Sequence, residues 1–283
     1  MPDAQFWKKY LSAANTNDSW LCVGLDPILE YLPESIPKNA NGVVAFFADI
    51  IDATKELVCA YKPNVAFFLA LGNDGLKALV EVVKRIPDNI PVILDAKFGD
   101  VPHTAEHYAR FAVDIIGADA VTVNPYMGYD SIFPFVQKDL GVFVLCATSN
   151  AGYEDLEGRK FRDSDRLFEI VAETVVSWSE RWGTRLGLVV GATHPEVFIE
   201  VRRNAPKAPL LIPGIGAQGG ALEPAVKYGP TTDGMPPIIV SCRSIIYASK
   251  GGDFAQATKN AAKDIRDRIN QLRNSPKTEN KEV

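Results

Sequence analysis

The chain reads as one (β/α)8 barrel preceded by an extra helix. Two observations predict this: short, nearly continuous apolar runs alternate with helical periodicity along the chain, and polar or charged residues gather where each run ends. At 283 residues it fits a single parallel barrel around one core. An open doubly wound sheet is the alternative with the same alternation.

The extra helix is predicted over Ala4–Ala14, and the strands follow as Leu21–Leu25, Cys59–Pro63, Val92–Ala96, Ala120–Val123, Val142–Ala147, Leu186–Val190, Leu210–Ile212 and Ile238–Ser241. Their apolar character suits strands covered on both sheet faces. Helical periodicity is predicted over Val43–Val58, Leu76–Arg85, Thr104–Ile116, Ser131–Lys138, Leu167–Trp182, Glu196–Asn204 and Ala255–Leu272. The barrel is thus expected over residues 1–272, and the polar stretch 273–283 as a frayed tail.

The net charge of −5 and the scattered Lys and Arg give no footprint for nucleic acid or a membrane surface, so an anionic ligand needs local positive charge. No apolar run approaches the roughly 20 residues that cross a bilayer, and Met1–Leu11 lacks the apolar centre of a signal peptide. Cys22, Cys59, Cys146 and Cys242 lie in apolar runs without a CxxC pair. This fits reduced, buried thiols in a cytoplasmic protein and argues against zinc.

Candidate chemistry sits at the strand ends, the active face of a parallel barrel. Asp26 follows strand one, Lys62 and Asn64 end strand two, Asn124 ends strand four, Thr148, Ser149 and Asn150 end strand five, and Arg243 ends strand eight. In the segment Asp95-Ala96-Lys97-Phe98-Gly99-Asp100, strand alternation turns Asp95 and Lys97 into one site. Asp100 follows in the loop, within reach of the same ammonium or of a neighbouring subunit. Carboxylates beside a lysine favour its charged form, and such a lysine can act as an acid. The alternatives are a buried ion pair of Asp95 and Lys97 with no catalytic role, or three ordinary solvated loop charges.

Pro213-Gly214-Ile215-Gly216-Ala217-Gln218-Gly219-Gly220 after strand seven, with Arg243 after strand eight, supplies backbone N–H groups and a guanidinium where barrels commonly bind phosphate. A connection that only turns the chain is the alternative. His103, His107 and His194 show no metal-ligand spacing, and Trp178 and Trp182, one turn apart, read as packing.

Taken together, Gly24-Leu25-Asp26, Tyr61-Lys62-Pro63-Asn64, Asp95-Ala96-Lys97-Phe98-Gly99-Asp100 with Thr104, Ala147-Thr148-Ser149-Asn150, Val190-Gly191-Ala192-Thr193, the glycine loop and Arg243 closely resemble the orotidine 5′-monophosphate decarboxylases over nearly the whole chain. The spelling of Lys62-Pro63-Asn64, Thr148-Ser149-Asn150 and Gly191-Ala192-Thr193 is similar to the branch found in many bacteria and some protists. Two departures stand out: Lys97-Phe98-Gly99-Asp100-Val101 where many relatives have Lys-Arg-Gly-Asp-Ile, and Cys242-Arg243-Ser244 where the family has Gly-Arg.

The resemblance implies decarboxylation of orotidine 5′-monophosphate to uridine 5′-monophosphate in pyrimidine synthesis, with no cofactor and no metal. It implies Lys97 as the acid that protonates C6, Asp95 against the departing carboxylate, and Lys62, Asp95, Lys97 and Asp100 as an alternating charge array. Asp26 and Lys62 would bind the ribose, Ser149 and the backbone at Pro213 the pyrimidine, and Gln218 and Arg243 the phosphate; Asn124 is a further substrate-side candidate. Asp100 and Thr104 would complete the site of a partner in a homodimer, and the loop after Gly216 would be a lid. It also raises association with a separate orotate phosphoribosyltransferase. The rivals are a magnesium-dependent sugar-phosphate enzyme of the same superfamily, disfavoured by Lys62 where an acidic residue should stand, and a nucleotide-binding barrel without turnover.

Overall fold

A computed structural model describes residues 3–161, 165–216 and 221–275. Eight strands, β1 (Leu21–Leu25), β2 (Ala60–Pro63), β3 (Ile93–Phe98), β4 (Ala120–Val123), β5 (Gly141–Ala147), β6 (Gly187–Val190), β7 (Leu210–Ile212) and β8 (Ile238–Ser241), form one sheet. Its order is β2-β1-β8-β7-β6-β5-β4-β3, and every paired neighbour is parallel. The two ends meet: Tyr61 bridges to Val92 and Asn64 to Asp95, and the Tyr61 amide donates to the Pro91 carbonyl at 3.0 Å. Closure makes this a (β/α)8 barrel and excludes the open sheet.

The helices are α1 (Gln5–Thr16), α2 (Ala40–Thr54), α3 (Val65–Leu69), α4 (Gly72–Val83), α5 (Pro102–Arg110), α6 (Tyr129–Gln137), α7 (Leu167–Trp182), α8 (Val197–Asn204), α9 (Leu222–Tyr228), α10 (Arg243–Ile246) and α11 (Phe254–Asn274). Three of these, α3, α9 and α10, go beyond the sequence expectation, as does the short antiparallel pairing of Lys160–Phe161 with Asp165–Arg166. Helix α11 passes the predicted end at Leu272, because Arg273 pairs with Asp18 and its guanidinium lies 5.2 Å from the Trp20 ring centroid. Helix α5 widens into a π-helical turn over Phe111–Ile116 that stops at Gly117, whose φ of 75° suits glycine.

Strand alternation divides the core in two. Outward residues such as Leu21, Val23, Tyr61, Leu94 and Val121 pack against the helices. Inward residues, among them Cys22, Ala60, Ile93, Phe143, Leu211 and Ile238, fill the barrel together with Phe6, Trp7 and Tyr10 of α1. Helix α1 therefore stops the N-terminal mouth. Phe6 and Trp7 pack edge-on to Phe143, Lys9 pairs with Asp119 at 2.8 Å, and the Tyr10 hydroxyl reaches the Pro237 carbonyl at 3.1 Å. With its lower end filled, the barrel can hold a ligand only at the C-terminal mouth.

Candidate active site

The C-terminal mouth holds a cavity of about 470 Å³, within the usual range for a small-molecule site. Its floor is the last inward layer of the strands, Leu145, Val189, Leu211 and Val240; its walls carry Asp26, Lys62, Asn64, Asp95, Lys97, Thr122, Ser149, Glu157, Pro213 and Arg243. Of the residues singled out from sequence, the structure brings Asp26, Lys62, Asp95, Lys97, Ser149, Pro213 and Arg243 together here. Gln218 lies outside the described residues, as does most of the loop expected to be a lid.

Asp95 is the hub. One carboxylate oxygen, Oδ2, accepts from Lys62 Nζ; the other, Oδ1, accepts from Lys97 Nζ at 2.5 Å and from the Thr122 hydroxyl at 3.0 Å. The side chains of Asp95 and Lys62 are 10% and 7% exposed, whereas that of Lys97 is 45% exposed and reaches the cavity. Burial alone would raise the Asp95 pKa, but Lys62 and Lys97 overcome it and hold the carboxyl well below the carboxylate range. Burial would likewise lower Lys62, yet Asp95 and Asp26 hold its ammonium above the ordinary lysine value.

Lys97 occupies its place through an irregular backbone. The β3–β4 register passes from Leu94 opposite Val121 to Phe98 opposite Val123, so an extra stretch of β3 bulges between them. Lys97 has a φ of 53°, in the left-handed region. Alternation correctly turns Asp95 and Lys97 to one face, but Lys97 gets there by way of this kink.

Asp26 follows β1 and is pushed upward by burial, with Lys62 and the Cys242 thiol pulling its carboxyl back. Its Oδ1 is buried with no hydrogen-bond partner among the described residues. Such an atom costs free energy unless something donates to it. Cys242 is only half-buried and borders the cavity, unlike the fully buried thiol expected, and its Sγ lies 3.4 Å from the Gly24 carbonyl. The other three thiols are buried.

Other residues singled out from the sequence have local partners. The Asp100 carboxylate accepts from the following amide, Val101 N, at 2.8 Å and does not meet Lys97 among the described residues. Thr104 lies beyond it on α5, outside the cavity wall. Asn124 accepts from Tyr126 N at 2.9 Å and borders a neighbouring apolar chamber with Trp178 and Leu156. Asn64, on the cavity wall at the end of β2, also caps α3 by accepting from Ala66 N at 3.1 Å. His194 stacks on Tyr153 at 4.3 Å, and Trp178 and Trp182 stack at 6.2 Å.

Two wall residues were missed. Glu157 accepts from the Thr148 amide at 2.6 Å and so anchors the loop that presents Ser149; nothing in its local sequence distinguishes it. Thr122 was legible as an inward β4 position, one alternation before Asn124. Among the described residues, no group of three or more His, Cys, Asp or Glu side chains is placed to hold a metal ion.

The family model described as Orotidine 5′-phosphate decarboxylase / HUMPS family matches residues 19–258. The chain is 46% identical to the orotidine 5′-phosphate decarboxylase of Herpetosiphon aurantiacus over 260 residues, covering 91% of this chain and 95% of the relative. It is 47% identical to that of Cupriavidus necator over 272 residues, covering 95% and 98%. The structure of Leishmania donovani OMP decarboxylase superposes with a TM-score of 0.82 at 38% identity, over 95% of this chain and 98% of that one. Leishmania donovani UMP synthase gives a TM-score of 0.84 at 40% identity; the chain spans 56% of its length and 95% of this chain is covered.

Proposed function

Because the chain belongs to the orotidine 5′-phosphate decarboxylase / HUMPS family, we propose that it is a carboxy-lyase that converts orotidine 5′-monophosphate to uridine 5′-monophosphate and carbon dioxide. The observation that carries this reading is the Lys62–Asp95–Lys97 array, buried on one side and open on the other to a nucleotide-sized cavity. The family also covers sugar-phosphate enzymes, and here Lys62 argues against them. A buried ammonium fixed against Asp95 opposes a divalent cation at that carboxylate.

The reaction needs a carbon–carbon bond to break so that the electron pair stays on ring carbon C6 and CO2 leaves. Asp95, ionised by its two lysines, faces the substrate carboxylate and disfavours that charge in the bound state, a repulsion that vanishes as neutral CO2 departs. The apolar floor of Leu145, Val189, Leu211 and Val240 suits the neutral product. Lys97 Nζ then donates its proton to C6. Lys62 keeps Asp95 in place and ionised throughout.

Asp26 Oδ1, buried and without a hydrogen-bond partner among the described residues, supplies an acceptor for a ribose hydroxyl. Ser149 and the Pro213 backbone border the pyrimidine, and Arg243 with Gln218 takes the phosphate, which puts remote binding energy at the far end of the ligand from the reacting carbon. No cofactor enters this scheme. Asp100 and Thr104 serve the site of a second subunit, consistent with an Asp100 carboxylate that accepts from Val101 N and makes no ion pair with its own Lys97 among the described residues. Homodimer and cytoplasmic location belong to this proposal; no helix among the described residues is long and apolar enough to cross a membrane.

The test is loss of ultraviolet absorbance when orotidine 5′-monophosphate is added to protein dialysed against a chelator, with Lys97→Ala in parallel. Metal-independent turnover by the wild type, lowered by at least about 100-fold in the variant, is the expected result. A folded wild type without turnover, even after magnesium is restored, would overturn the reading.

A further inference from the structure

Thr122 sits at the point where β3 and β4 lose register. Asp95, Ala96 and Lys97 bulge opposite it, between the Leu94–Val121 and Phe98–Val123 pairs. Within that bulge the Ala96 and Lys97 amides donate not to the β4 backbone but to the Thr122 hydroxyl oxygen, each at 3.0 Å. The same hydroxyl donates its proton to Asp95 Oδ1 at 3.0 Å. One proton and two lone pairs are all that a hydroxyl has, and here all three are used on the segment that carries the charged array. The residue is 1% exposed, so these bonds are made out of reach of bulk solvent.

These bonds bear on Lys97 directly. Its φ of 53° is a conformation that a residue with a Cβ adopts only when its surroundings impose it. Thr122 fixes both the amide at the kink and the carboxylate that the ammonium grips. A valine of the same shape would keep the packing and lose every one of these bonds.

We propose that Thr122 is a positioning residue for the decarboxylation, its hydroxyl holding the Asp95–Lys97 kink so that the Lys97 ammonium is delivered at the reacting carbon. The inference rests on the decarboxylase reading. It assigns to β4 a part in proton delivery that acts through Asp95 and the Lys97 backbone, and it separates two jobs: Lys62 keeps Asp95 charged, while Thr122 keeps Asp95 and Lys97 in geometry.

The experiment compares wild type with Thr122→Val, Thr122→Ala and Thr122→Ser, reading kcat and KM for orotidine 5′-monophosphate, the Kd of uridine 5′-monophosphate by calorimetry, and Tm. Misplacing a reacting group by about 1 Å costs about 100-fold in rate. Val and Ala are therefore expected to lose about 100-fold in kcat, with the product Kd within about threefold, and Ser to return to within about fivefold of wild type. The proposal is overturned by a Val variant within about threefold of wild-type kcat, by product affinity falling in step with kcat, or by Ser faring no better than Val. If Val does not fold, Ala is read by the same criteria; if neither folds, the role is structural and the proposal fails. An inactive wild type would instead sink the decarboxylase reading itself.

Discussion

Asp95 carries two lysines and a hydroxyl on two oxygens, so its surroundings make a pH prediction with a definite sign. Its folded pKa lies below the unfolded value of about 3.9, so the stabilisation is complete above that pH and drains away as pH falls below it. Lys62 is shifted the other way, above about 10.4; its contribution is complete below that value and is lost as pH rises past it. The urea midpoint of wild type, relative to a Lys62→Met/Asp95→Leu variant, should therefore be level from about pH 5 to about pH 10 and decline on both sides. A difference constant from acid to alkaline extremes would refute this. Asp95→Ala alone leaves the Lys62 ammonium buried and unpaired and should lower stability by about 3–5 kcal/mol, measured by the same urea titration. Position at the strand ends was enough to bring Lys62, Asp95 and Lys97 to one mouth of the barrel. The left-handed turn of Lys97 was not legible, because it arises from mispairing with β4 and not from any preference of lysine.

Helix α1 shows what an element outside the βα repeat contributes. Phe6 lies against Gly141 so closely that a Cβ there would come within 2.4 Å of its ring. Phe6→Ala should open a cavity in the closed mouth and lower stability by about 3–5 kcal/mol, read from denaturant unfolding. Turnover per folded molecule should stay near wild type, since α1 stands at the end of the barrel opposite Lys97. A loss of kcat as large as that from Lys97→Ala would contradict this division. The eight strands were legible to within two residues at their ends, since β-branched runs bounded by turn residues carry a local signal. Helices α3, α9 and α10 were not: segments of 4 to 7 residues hold two turns of periodicity at most, and tertiary packing makes them helical.

At the scale of the molecule, the proposed sharing of sites between subunits predicts complementation. Lys97→Ala and Asp100→Ala should each be nearly inactive alone. Mixed under conditions that let subunits exchange, they should recover roughly a quarter of wild-type activity, because half the dimers are hybrid and each hybrid has one intact site. No recovery, with subunit exchange shown by a tag, would mean that Asp100 serves its own chain. The barrel itself was legible from eight repeats, and the pairing of Asp100 with a second copy came from family resemblance, since no strand or helix pattern reports on a partner. The β2–β3 seam, where the barrel meets itself, rests on two isolated bridges, and one of them joins Asn64 to Asp95. The Lys62–Asp95 ion pair crosses the same seam. The charges to which the proposed chemistry is assigned thus also latch the cylinder shut, so on that proposal a chain whose barrel has not closed cannot assemble a working site, and catalytic competence arrives in the same step as ring closure.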